Sequence, residues 1–359
     1  MTFGVIAREL GRRHHEVTVY RPRRRDASPP PNGDFREVSM PGFPIPGYPM
    51  LRLGLPAGRA LARRWRADRP DLVHVATEGP LGASAVGAAR TVGVPVTSSF
   101  HTHFHLYAAH YGVGPLRHLV LAWLRWVHNR THLTFAPTAE LCAELKTLGF
   151  RNLAVLSRGV DTRQFSPERR SSVLREAWGA GPDDLVVLHV GRMAHEKNYP
   201  MLFRAFAAMK AAHSRCRWVL VGDGPIRSRL QRELPDGVFT GFVPRDDLAR
   251  HYASADVYVH ASLSETFGNV LTEAMASGLA VAAFDYAAAR TFVRDGINGL
   301  AVPCDRPEAL VAAAARLAAD GELRLRLRQT AAASLRGQSW ENVIAAFETD
   351  LLGAVKDSA

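Results

Sequence analysis

Two carboxylates, Glu265 and Glu273 in the stretch ASLSETFGNVLTEA, are the side chains here best suited to chemistry. An ionised carboxylate only accepts hydrogen bonds, so a pair of them suits a ligand rich in hydroxyl donors. Two cations form a second group: Arg192 and Lys197 in GRMAHEKN. Arginine offers a planar fork and lysine a compact point charge, a combination that fits two linked phosphates. Taken alone, each group also has a plainer meaning. Glu265 could be a cap, Glu273 a solvated helix residue, and the two cations ordinary loop residues.

What would bring these groups together is a parallel sheet. Val257-Tyr258-Val259-His260 reads as a buried strand, with the next buried strand beyond Gly278. That places Glu265 in a loop at a strand's carboxyl end and Glu273 inside the following helix. Free helix N–H groups near Gly268–Val270 would face the crevice where open α/β sheets bind ligands. Leu185–Val190 is a second buried strand, and it runs directly into Gly191-Arg192. The next helix, Tyr199–His213, would present its N-terminus to an anion beside Lys197.

The same alternation of short apolar strands and helices runs through both halves. Ser157–Pro167 (SRGVDTRQFSP) is polar and ends in proline, which marks a hinge. At 359 residues the chain exceeds one hydrophobic core. The expected architecture is therefore α/β, with two doubly wound domains: residues 1–160, rejoined by a last helix at about 339–359, and residues 161–338. Met40–Pro49 (MPGFPIPGYP) reads as an irregular loop because of its four prolines.

Composition excludes several classes. With 47% apolar and 22% charged residues the chain is of ordinary globular type. No uncharged apolar window approaches the ~18 residues of a membrane span, and the most apolar helix, His118–Val127, contains Arg125. Cys142, Cys216 and Cys304 lie far apart in no metal-type spacing, which suits a reducing compartment. The net charge of +11 falls on the first half: residues 1–160 hold 21 Lys and Arg against 10 Asp and Glu, and residues 161–359 hold 24 of each. Such a face draws polyanions or an anionic membrane surface, or is simply solvated. Aromatic and basic residues interleave at Tyr107–Arg130, in a spacing closer to an amphipathic helix than to stacking platforms for nucleic acid. His101, His103 and His105 alternate and could gather a metal, but no nearby acid completes such a site.

GRMAHEKN, LVGDGP, Gly241-Phe242-Val243, ADVYVHASLSETFGNVLTEAMASG and DGINGLAVP, with FHTHFHLYAAHYG and SRGVDTRQFSP, occur in an order that resembles the retaining GT-B glycosyltransferases of family four. The likeness spans the chain from about residue 5, and is closest to bacterial enzymes that move mannose from GDP-mannose to lipid or glycolipid acceptors. It implies two Rossmann-like domains facing a cleft, the second holding the nucleotide sugar. Glu265 would contact the transferred sugar, beside backbone N–H groups from Phe267, Gly268 and Asn269. Glu273 would accept from the ribose, and Arg192 and Lys197 would bind the diphosphate. The turn at Val243 would meet the base, and His101 would lie near the anomeric carbon. Cations placed where a departing diphosphate develops charge lower its barrier. No Asp-x-Asp occurs, so the expectation is metal-independent transfer without a cofactor.

Against that family pattern, the expectation is that the given sequence starts inside the first helix, without the opening strand and glycine-rich loop of the first domain; a misplaced start at Met1 is the favoured explanation, and loss of a strand the alternative. The expected partners are a nucleotide sugar, a lipid or glycan acceptor and an anionic membrane surface, without nucleic acid. The expected location is cytoplasmic, peripheral on the inner membrane face. A UDP-sugar donor and a non-catalytic homologue are the alternatives.

Overall fold

The computed structural model describes residues 2–23, 35–45, 48–100 and 117–358. The chain divides into two compact units: Met1–Arg158 with Trp340–Ala359, and Gly159–Ser339. The division falls inside the Ser157–Pro167 segment.

The first unit opens with α1 (Thr2–Arg12), then β1 (Thr18–Pro22), β2 (Arg36–Met40), β3 (Gly42–Ile45), β4 (Tyr48–Gly54) and α2 (Gly58–Ala67). It continues with β5 (Val73–Val75), α3 (Pro80–Thr91), β6 (Val96–Ser99), α4 (Arg117–His128), β7 (Leu133–Ala136), α5 (Ala139–Thr147) and β8 (Leu153–Val155). Strands β5 to β8 form a parallel sheet in that order, whereas among the described residues β1 and β2 pair only with each other, also in parallel. Local signals place the ends: Thr138 caps α5 by accepting from the Leu141 N–H at 3.1 Å.

One sequence expectation is corrected here. Met40–Pro49 is not an irregular loop; Gly42–Ile45 and Tyr48–Gly54 form an antiparallel ribbon, with Pro44 opposite Arg52. A two-stranded ribbon has an outward edge on each strand, where a missing proline N–H forfeits no ladder bond. Arg52 further ties the ribbon by donating to the Gly42 carbonyl at 2.8 Å.

The second unit contains α6 (Ser172–Ala177), β9 (Leu185–Val190), α7 (Tyr199–Ala212), β10 (Cys216–Val221), α8 (Arg227–Glu233), β11 (Val238–Gly241) and α9 (Arg245–Ser254). Then come β12 (Val257–His260), α10 (Asn269–Ala276), β13 (Ala280–Phe284), α11 (Ala288–Phe292), β14 (Leu300–Val302), α12 (Pro307–Ala319) and α13 (Gly321–Ser334). Its six strands form one parallel sheet in the order β11-β10-β9-β12-β13-β14. Relative to the unit's own strands this is 3-2-1-4-5-6, the doubly wound Rossmann order, and its direction reverses between β9 and β12. Both faces are covered. Leu185 and Val187 of β9 join one apolar cluster, while Val186, Leu188 and Val190 join the other. That two-sided burial is why these strands read as continuous apolar runs.

The last helix, α14 (Trp340–Lys356), returns to the first unit. Its Val343, Ile344 and Phe347 pack with Ile6, Phe135 and Leu156. Glu348 is held by Arg13 and His15, each at 2.6 Å.

The amino end of β12 carries a buried charge network. Asp256, 6% exposed, pairs with Arg170 at 2.8 Å, Arg175 at 3.0 Å and Arg328 at 3.1 Å. It also accepts from the Val186 N–H at 2.9 Å. Burial alone would raise this carboxyl; the three guanidinium groups and the amide reverse that and hold it below its ordinary value.

Candidate functional site

Because β9 and β12 are parallel neighbours, with Val257 beside Val187 and Tyr258 beside Leu188, their carboxyl-end loops emerge side by side. The loop after β9 carries Arg192 and Lys197; the loop after β12 carries Glu265. Several contacts stitch the loops together. Asn198 donates to the Ala261 carbonyl at 3.1 Å, Ser264 donates to the Glu196 carbonyl at 3.2 Å, and Lys197 forms an ion pair with Glu265. Asn198 lies in the left-handed region, φ 54°, a conformation that asparagine tolerates.

The neighbouring VGDGP loop explains its own glycines. A Cβ at Gly222 would lie 2.0 Å from the Gly191 carbonyl oxygen, and one at Gly224 would lie 2.3 Å from that of Met193. The two backbones are in contact, and Met193 N–H donates to the Asp223 carbonyl at 2.9 Å. The cation-bearing loop is thereby fixed by its neighbour.

Glu265 and Lys197 are both mostly buried, with side chains 16% and 20% exposed. Burial pushes the Glu265 carboxyl up, but the Lys197 ammonium and the hydrogen bonds from Lys197 and Ser262 outweigh it and hold the group below its ordinary value. It is an anion at neutral pH. Beneath the pair, His260 is 7% exposed and stacks on Tyr258 with ring centroids 6.1 Å apart. Desolvation lowers its pKa, which keeps the imidazole neutral.

Glu273 lies in the second turn of α10, whose N-cap is Gly268 at φ 96°. The first N–H groups of a helix have no intrahelical acceptor, so the segment Phe267–Asn269 opens α10 as a ready anion or hydroxyl cradle. The Phe267 ring is buried, and its carbonyl accepts from the Ala288 N–H at 2.8 Å. Glu273 accepts a hydrogen bond from the Tyr252 hydroxyl at 3.2 Å. Burial raises its carboxyl to about 7, with Arg245 and Tyr252 pulling the other way. At neutral pH this group is divided between its two forms.

The structure therefore brings Lys197 and Glu265 into contact and puts Arg192, which is exposed, on the same loop as Lys197. Glu273 and the Phe267–Asn269 segment follow on the adjoining helix. Val243 follows β11, two strands from β9, and packs half-buried on the Tyr252–Tyr258 side of the core. Phe242 beside it is 85% exposed. His101, together with His103 and His105, lies outside the described residues. Sequence reasoning passed over Arg245, Tyr252 and His260. Nothing in spacing marks Tyr252 as Glu273's partner, since that contact joins two helices; His260 was visible only as the polar end of an apolar strand.

Comparison with known proteins adds the family. Residues 171–334 match the family described as Glycosyl transferases group 1, and residues 4–164 match Glycosyltransferase Family 4. The chain is 35% identical over 345 residues to a GDP-mannose-dependent alpha-mannosyltransferase of Mycobacterium tuberculosis, covering 93% of this chain and 87% of that protein. It is 36% identical over 336 residues to a protein of the same name from Mycolicibacterium smegmatis, covering 92% and 87%. The fold is similar to that of a glycosyltransferase from Rickettsia africae, with a TM-score of 0.76 at 15% identity, over 100% of this chain and 95% of that one.

Proposed function

The chain belongs to the group 1 glycosyltransferases of family four, and from that premise we propose that it moves mannose from GDP-mannose to a lipid or glycan acceptor. The donor assignment rests on the relatives that carry GDP-mannose in their names. The observation that carries the site reading is the Lys197–Glu265 pair across the boundary where the sheet order reverses. There an ammonium and an ionised carboxylate stand side by side, groups suited to a diphosphate and to sugar hydroxyls.

In this reading Lys197 and Arg192 take the diphosphate. Charge accumulates on that group as the glycosidic bond breaks, so fixed cations favour the transition state over the ground state. Glu265 then accepts from sugar hydroxyls while Glu273 accepts from the ribose. Retention of configuration, with the departing phosphate assisting deprotonation of the acceptor, belongs to the same proposal. So does transfer without a metal, the cations doing what a divalent ion would otherwise do.

Peripheral attachment to an anionic membrane is part of this reading. The support is α4, on which Leu119, Trp123 and Trp126 are 67%, 43% and 45% exposed. They recur at helical spacing with Ala122, which is exposed as well. Trp123 and Trp126 stack at 5.4 Å, and the Arg130 guanidinium sits 4.1 Å from the Trp126 ring centre. Tryptophan beside arginine on an apolar stripe suits a headgroup boundary. No helix among the described residues is long and apolar enough to cross a membrane.

The test is release of GDP from GDP-mannose with a bacterial lipid extract, for the chain and for Glu265→Ala. Equal release from both removes the assignment. A parallel measurement of melting temperature with GDP and UDP separates the donors, since the bound nucleotide stabilises by mass action.

A further inference from the structure

Another buried carboxylate, absent from every motif above, stands in the first unit. Glu78 lies between β5 and α3, in the loop Ala76–Gly79, at the carboxyl end of the β5–β8 parallel sheet. It is 7% exposed, and its Oε1 atom has no hydrogen-bond partner among the described residues. Desolvation raises its carboxyl to about 6, so at neutral pH it is chiefly an anion. It does not serve as a cap: the N-cap of α3 is Gly79, and no side chain bonds there.

The loop around it is firmly built. A Cβ at Gly82 would lie 1.8 Å from the Thr77 carbonyl oxygen, so the first turn of α3 presses directly on the loop backbone. The Trp123 indole N–H donates to the Glu78 carbonyl at 3.1 Å. Trp123 is also a member of the exposed stripe on α4, which places the Glu78 backbone beside the surface read above as membrane-facing.

An unsatisfied buried carboxylate oxygen is destabilising, and a fold that fixes one so tightly holds an acceptor in wait for a donor. The second unit already supplies the groups read as diphosphate- and sugar-binding. We propose that Glu78 binds the acceptor, with its free oxygen accepting a hydrogen bond from a hydroxyl of a polyol headgroup on a lipid. This rests on the transferase reading and extends it to the acceptor side.

The test uses the full chain saturated with GDP and octyl α-D-mannopyranoside as the hydroxyl-bearing, lipid-like probe, its binding followed by ligand-observed NMR. The proposal expects probe affinity at least tenfold lower in Glu78→Ala and several-fold lower in Glu78→Gln. GDP affinity should be unchanged in both, and the melting temperature of Glu78→Gln should be no lower than that of the parent. A purely structural role would instead lower the melting temperature and leave probe affinity alone. Equal probe affinity in all three proteins, including none in any, overturns the proposal. Failure to bind GDP in the parent chain would count against the transferase reading, not against Glu78.

Discussion

The two ends of β12 in the second unit each hold a buried carboxylate, and they differ in what surrounds it. At the amino end Asp256 meets three arginines and a backbone amide, so its acceptor sites are filled from within the protein. Past the carboxyl end Glu265 has one lysine and the Ser262 hydroxyl, and on the next helix Glu273 has one tyrosine hydroxyl. Saturation makes the first a fastener. Under-saturation leaves the other two with lone pairs for a ligand, and the raised carboxyl of Glu273 records that shortage.

The sharpest way to break this contrast is Asp256→Ala. It leaves Arg175, itself 4% exposed, without its carboxylate partner and should destabilise the second unit by roughly 3–5 kcal/mol. Urea denaturation measures it, and a loss below about 1 kcal/mol would mean that the network is not a fastener. Lys197→Ala leaves the mostly buried Glu265 without its ammonium partner, so it should cost some stability while lowering kcat by about a hundredfold to a thousandfold, the scale for removing one transition-state charge donor. Turnover of GDP-mannose near the parent's rate would exclude Lys197 from that role.

Glu273→Gln tests the other side of the comparison. An acid whose folded-state pKa is raised binds its proton more tightly when folded, so stability is greatest below about 4.5 and declines as pH rises to about 7. Above that the penalty is constant. Replacing the carboxyl should therefore stabilise the chain at pH 8 by up to about 3 kcal/mol and flatten its stability between pH 4.5 and 7. Nucleotide affinity should fall at the same time. A variant that is less stable than its parent at pH 8 contradicts this account. The smallest expected effect belongs to the first unit: Trp126→Glu should reduce co-flotation with phosphatidylglycerol-containing liposomes several-fold and leave GDP affinity intact. Undiminished flotation would remove α4 from membrane contact.

Much of the fold was legible because strands buried on both faces write themselves as apolar runs. Leu185–Val190 and Val257–His260 have the same limits in sequence and structure. Where reading failed, the deciding interaction was distant in sequence. Proline content argued for a loop at Met40–Pro49, but Pro44 occupies an edge that only its pairing with β4 creates. Glu265 and Glu273 were recognisable by spacing, whereas Glu78 was not, since TEGP has no periodicity and its burial comes from packing against neighbouring elements.

By itself the sequence determined where strands and helices alternate, which loops carry cations and carboxylates, and which family order those loops follow. These depend on local periodicity and on residue types, properties that a single chain displays directly. Only the tertiary structure decided that β12 lies beside β9, that Lys197 meets Glu265, and which carboxylates are filled, half-filled or left open. Those outcomes are set by desolvation and by partners tens of residues away, and neither is written in the neighbouring letters.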